Sequence, residues 1–118
     1  MSQQIDAPNG SFKVSAAVTA RKLVKLNNAR KLTLNAVGIS TFTGVTIGNQ
    51  PTADAHCSIK FRKSPGTFIC TADGVIAIGA SIYAAASGKV TTTAVGSIIG
   101  IALEAATADG SEIECELY

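Results

Sequence analysis

The chain has 118 residues, 47% of them apolar and 15% charged, with a net charge of +2. This length fits one domain that buries roughly two-thirds of the surface its unfolded chain exposes, and the near-neutral balance, with two Tyr, four Phe and no Trp, lacks the basic stripe and stacking aromatics of a nucleic-acid binder. Charge far below the usual fraction of about 25%, over a core built from Ala, Val, Ile and Leu, predicts a surface covered in the working state and a stability shared with partner subunits.

Residues 1–11, MSQQIDAPNGS, have neither a basic n-region nor an apolar h-region, which predicts no signal peptide, and their polarity predicts a flexible arm ahead of a single β domain over 12–118. The Asn9-Gly10-Ser11 sequon reads as part of that arm or as a turn. Alternation predicts strand where Phe12, Val14, Ala16 and Val18 interleave with Lys13, Ser15, Ala17 and Thr19. The same pattern sets Leu32, Leu34 and Ala36 against Lys31, Thr33 and Asn35, and Cys57, Ile59 and Phe61 against Ser58, Lys60 and Arg62. Turn signals fall at Asn27-Asn28, Gly48-Asn49-Gln50-Pro51, Ser64-Pro65-Gly66, Ser87-Gly88 and Asp109-Gly110. LEAATADG, from Leu103, is the one segment with helix-favouring residues and has room for one turn at most. The chain closes on SEIECELY, in which Ile113, Cys115 and Leu117 share one strand face and Glu112, Glu114 and Glu116 the other. No run reads as a membrane span.

Catalytic signals are sparse. Asp54-Ala55-His56-Cys57 is the one place where a carboxylate, an imidazole and a thiol crowd together, but neighbours on a strand point to opposite faces, so His56 is badly placed to activate Cys57. Cys57, Cys70 and Cys115 have no CxxC spacing and sit among apolar residues, as buried thiols do, and a single His leaves no zinc set. Phosphate loops, nucleophile elbows, HExxH and GxGxxG are missing. Glu112 and Glu114 share a strand face with no aromatic platform for a sugar. No enzyme activity, cofactor or metal is expected, and the glycines of GISTFTG, GVIAIG and GSIIGIA mark bulges, turns or close backbone approach.

The two halves resemble each other. KLVKLNNARKLTLNAVG from Lys22 and ASIYAAASGKVTTTAVG from Ala80 align so that Lys31, Thr33, Ala36, Val37 and Gly38 recur as Lys89, Thr91, Ala94, Val95 and Gly96. TGVTIG from Thr43 answers IGIALE from Ile99, the TAD at Thr52 recurs at Thr107, and CSIKFRK answers SEIECEL. This predicts an internal duplication over 21–63 and 79–118. The expected fold is all-β, with two meander-like units packed about a pseudo-two-fold into a small sandwich or barrel.

The closing strand of the first unit carries Lys60, Arg62 and Lys63 where that of the second carries glutamates. Three arrangements fit opposite faces of this kind: cross-strand charge pairs within one sheet, contacts between neighbouring subunits of a closed ring, or solvated faces that discourage edge aggregation.

The stretch GVIAIGASIYAAASGKVTTTAVGSIIGIALEAATADGSEIECELY, from Gly74 onward, resembles the carboxy-terminal half of the tailed-phage capsid cement, or decoration, proteins. The shared pattern is an apolar run, G-A-x-I/V-Y, a small-residue turn closed by G-K-V-T, then I-G-x-A-L-E-A-A, a Gly turn and an alternating last strand. The first half is similar only loosely, and the basic KFRK segment departs from the pattern. The resemblance implies a small β protein added to the outside of an icosahedral head after expansion, where capsomers meet. It implies the major capsid protein as partner, a homo-oligomer with a trimer ahead of a dimer, no nucleic acid or membrane, and a place on the outer capsid surface after synthesis in the host cytoplasm. It would give the arm, with Ser2, Gln3, Gln4 and Ile5, reach across a neighbouring subunit; Lys60, Arg62 and Lys63 would meet acidic capsid patches, and Glu112, Glu114 and Glu116 basic ones. The alternative is a virion-surface receptor- or glycan-binding module, for which Tyr83 and Tyr118 are the only candidate aromatics.

Overall fold

Residues 9–118 are described by the structure, a computed structural model. The strands are β1 (Asn9–Lys13), β2 (Leu23–Leu26), β3 (Leu32–Leu34), β4 (Gly44–Thr46), β5 (His56–Phe61), β6 (Phe68–Thr71), β7 (Ser81–Ala84), β8 (Val90–Thr91), β9 (Gly100–Ala102) and β10 (Glu112–Leu117). A 3-10 turn spans Ala86–Gly88. The strands form two five-stranded sheets, ordered β1-β5-β4-β2-β3 and β6-β10-β9-β7-β8. Adding five to each strand number of the first sheet gives the second.

The correspondence extends to register. Phe12 lies opposite Cys57 and Gly10 opposite Ile59 in the first unit; Cys70 lies opposite Ile113 and Phe68 opposite Cys115 in the second. A parallel bridge between Val14 and Leu32 joins the two edges of the first sheet, and its counterpart, Ala72 to Val90, joins those of the second. Each sheet is thereby curled towards a small barrel, which leaves less edge backbone unpaired. The left-handed residues match as well: Arg21 and Gly79, Arg30 and Gly88, Gly38 and Gly96. The lysines of the repeat find the aspartates of the repeated TAD, Lys31 with Asp54 at 2.5 Å and Lys89 with Asp109 at 2.9 Å.

Each curled sheet encloses apolar side chains. Phe12, Val14, Val18, Val24, Leu32, Cys57 and Ile59 form one cluster. The other gathers Cys70, Ile76, Ile82, Val90, Ile99 and Ile113 from the second unit, and takes in Leu23, Phe42 and Val45 from the first. The seam between units is therefore part of the second core.

The repeat is longer than 21–63 and 79–118, because β1 and β6 are equivalent fifth strands outside those bounds. β1 begins at Asn9, so residues 9–11 of the expected arm are strand; backbone pairing to β5 needs no apolar side chains, and the polar sequon hid it. Residues 1–8 lie outside the described residues. The alternation from Leu32 stops early: Leu34 is 38% exposed while Asn35 is buried. Asn35 sits inside because its N–H donates to the Leu23 carbonyl at 2.9 Å and its side-chain amide to the Ile39 carbonyl at 2.8 Å, fixing the turn that follows. LEAATADG forms no helical turn, since Ala106 is drawn into a bridge with Ile76.

Gly44 and Gly100 occupy equivalent places against the central strands β5 and β10. A Cβ would stand 2.4 Å from the Lys60 carbonyl oxygen at Gly44 and 2.0 Å from that of Glu116 at Gly100. Gly44→Ala and Gly100→Ala should each cost about 2 kcal/mol through overpacking. Gly48→Ala, with nothing within 4 Å, should stay within about 0.5 kcal/mol of wild type. Urea unfolding midpoints at constant slope check the contrast.

Candidate functional site

The two charged strands lie in different sheets, each between two neighbours, so Lys60 of β5 and the glutamates of β10 are not cross-strand partners. Of the three arrangements that fit the sequence, cross-strand pairing within one sheet is excluded by this topology. β10 does alternate as its sequence predicts, with Ile113 and Cys115 buried and Glu112 and Glu116 exposed. Glu114 is half-buried, its Oε2 accepting from Thr67 Oγ1 at 2.6 Å.

The basic residues divide by role. Lys60 Nζ donates to the Thr67 carbonyl at 2.6 Å and stands 4.4 Å from the Phe68 ring centre. Arg62 Nε donates to the Tyr118 carbonyl at 2.8 Å, its Nη1 to the Ser40 carbonyl, and its guanidinium lies 4.5 Å from the Phe42 ring centre. Arg62 thus ties the end of β5 to the end of β10. Lys63 is exposed. Ser2, Gln3, Gln4 and Ile5 fall outside the described residues.

The seam is made largely of backbone. The Thr71 N–H donates to the Arg21 carbonyl at 3.0 Å, the Gly38 N–H to the Ala84 carbonyl at 3.0 Å and the Gly88 N–H to the Asn35 carbonyl at 3.0 Å. Thr71 Oγ1 donates to the Arg21 carbonyl at 2.9 Å and accepts from Lys22 Nζ at 3.3 Å. Burial pushes the Lys22 ammonium below its ordinary pKa, the charge of Lys89 adds to this, and Glu112 opposes it. Beside this seam, between β4 and β6, lies a cleft of about 110 Å³ lined by Arg21 and Lys60 among others.

The thiols are protected. Burial raises the Cys57 pKa, and a thiol–thiol hydrogen bond with Cys115, then burial, raises that of Cys70. A thiol held protonated is a poor nucleophile. His56 is exposed while Cys57 is buried on the opposite face, and the imidazole Nδ1 meets Ser11 Oγ at 3.4 Å. Sequence reasoning missed one surface. Val75 is 74% and Ile78 70% exposed on the bend between β6 and β7, where the first unit has Ala17 and Ala20. The signal was present as GVIAIG against AAVTAR.

The family profile of phage cement proteins matches residues 4–117. The chain belongs to the phage cement protein family. That family is a structural one, not an enzyme family, and membership gives the chain a head-associated role in a phage particle, bound to the capsid. The crystal structure of the N base of the head fibre gp8.5 in bacteriophage phi29 has a similar fold, with a TM-score of 0.75, 14% sequence identity, and coverage of 93% of this chain and 92% of that one. Comparison with curated proteins gives no match. No helix among the described residues is long and apolar enough to cross a membrane.

The ion pairs of the cement protein set a pH dependence. Hydrogen bonds from Lys31 and Lys89 hold the Asp54 and Asp109 carboxyls below their ordinary value of 3.8. A carboxyl lowered on folding contributes stability at neutral pH, and that contribution is lost as pH falls through the lowered value. Carbon-detected titration should place both midpoints below 3.8, and Asp54→Asn with Asp109→Asn should flatten the acid limb of stability. Ordinary midpoints would remove both pairs from the folded state in solution.

Proposed function

We propose that this chain binds the outer surface of the expanded icosahedral head where capsomers meet and stabilises the shell there, without catalysing a reaction. Its membership of the cement family over residues 4–117 carries this reading. The physical mechanism is linkage: a protein that binds the expanded lattice better than its precursor stabilises the expanded state by that difference in affinity. The gain is about 2.7 kcal/mol per site at a free concentration one hundred times the dissociation constant. The partner is the major capsid protein, and the working location is the virion exterior after synthesis in the host cytoplasm.

A homo-oligomer, trimer first, is supported by a contact that is made only once within the chain. The Thr71 N–H of the second unit meets the Arg21 carbonyl of the first. The equivalent groups, the Lys13 N–H and the Gly79 carbonyl, have no such partner among the described residues. A second copy that supplied it would make a head-to-tail contact, which closes into a ring. Val75 and Ile78 offer apolar area for the same assembly or for the shell. Residues 2–5 would extend the grip, and Lys63, Glu112 and Glu116, all exposed, are better placed to meet capsid charge than Arg62, whose guanidinium is engaged internally.

Co-sedimentation with expanded and unexpanded shells lacking the protein tests the proposal. Saturable binding at least tenfold tighter to expanded shells is expected; a folded protein that binds neither shell contradicts it. The double variant Val75→Asp, Ile78→Asp should lose self-association or shell binding, with an unfolding midpoint within about 0.5 kcal/mol of wild type because both sites are exposed.

A further inference from the structure

We propose that the cleft between the two units is a docking site for an extended peptide segment carrying an acidic residue. Its main chain would pair with Ile69 and its carboxylate would lie between Arg21 and Lys60. The inference rests on the cement reading only for the identity of the partner, which would then be a segment of the capsid protein.

The outer edge of β6 has one open rung. The Ala72 N–H donates to the Ser111 carbonyl at 2.8 Å, on the β10 side. Because backbone groups alternate in an antiparallel strand, Thr71 and Ile69 turn theirs the other way. On that outer edge the Thr71 N–H is taken by the Arg21 carbonyl and the Thr67 carbonyl by Lys60 Nζ. Between them the N–H and carbonyl of Ile69 have no partner among the described residues. A strand edge left open in this way is a template for another chain.

Two cations flank this rung. Arg21 makes no side-chain hydrogen bond or ion pair among the described residues, and it lines the cleft with Lys60. It also holds a left-handed backbone, φ 65°, at the position where the second unit has Gly79, φ 82°. A side chain in this conformation is strained and glycine is not, so an arginine retained here points to a use for its charge. The position equivalent to Lys60 in the second unit is Glu116, so the cation pair exists only in this cleft. None of the lining residues is acidic. Glu114, next along the outer face, is engaged by the Thr67 hydroxyl at 2.6 Å.

A second copy is a poor occupant. Among the described residues, the edge strands β1, β3, β6 and β8 carry no acidic residue, so none of them brings a carboxylate to this cleft. The glutamates of β10 belong to a central strand with neighbours on both sides, so its backbone is not available to pair with Ile69. A foreign acidic segment satisfies both requirements.

The test is an amide NMR titration of the intact protein with blocked acetyl-Ser-Val-Glu-Val-Ser-amide and with its counterpart bearing Lys for Glu. Saturable shifts of the Ile69 amide and the Arg21 side-chain N–H are expected with the Glu peptide. Binding should be at least tenfold weaker with the Lys peptide and in Arg21→Gly. Because Gly79 makes the same turn in the second unit, Arg21→Gly should fold with an undiminished unfolding midpoint. Equal binding of the two peptides by wild type, or shifts that spare Ile69, would overturn the inference whatever the variant does. Shell binding by wild-type protein is scored separately, so failure of the cement reading and failure of the cleft are read from different arms.

Discussion

Where the two units meet, backbone touches backbone. A Cβ on Gly96 would stand 2.3 Å from the carbonyl oxygen of Gly38 and 3.2 Å from its Cα, so the turns at these two equivalent positions approach as closely as they do because Gly96 carries no side chain. Both are left-handed, which glycine adopts without strain. This approach lets the Gly38 N–H reach the Ala84 carbonyl, and it sets the distance at which Leu23, Phe42 and Val45 of the first unit pack into the cluster of the second. A curled sheet of roughly 50 residues is marginal alone. Sharing a core across the seam turns two marginal units into one body.

The seam also decides which charges face outward. Lys22, Lys60 and Arg62 each bond to a group in the second half of the chain, at Thr71, Thr67 and Tyr118 respectively. What remains outside includes Lys63, Glu112 and Glu116, the exposed Val75 and Ile78, and much neutral surface. A surface of that kind suits a protein that works while covered by a lattice, where few charges need to be desolvated on binding.

Much of this was legible in the sequence because alternation and repetition are local. The last strand, the buried cysteines and the matched Lys and TAD positions follow from period two and from a repeat whose offset drifts between halves, from 58 residues at Lys31 to 55 at Thr52. The equivalence of the fifth strands was not legible, because NGSFK and FICT have dissimilar side chains and are alike only in how their backbones pair with β5 and β10. Asn35 broke the alternation because a side-chain amide bonding to a nearby carbonyl fixes a turn that hydropathy does not register. The division of the basic residues into Arg62 at the seam and Lys63 in solvent depends on where β10 ends in space, which β5 alone does not reveal.

Stabilisation of the shell is the central claim, and scanning calorimetry of expanded shells titrated with the purified protein measures it most directly. The disruption transition of the shell should rise with protein concentration and level off once the sites are filled, as linkage requires. A transition that stays fixed while the protein is bound would show a passenger on the capsid rather than its cement.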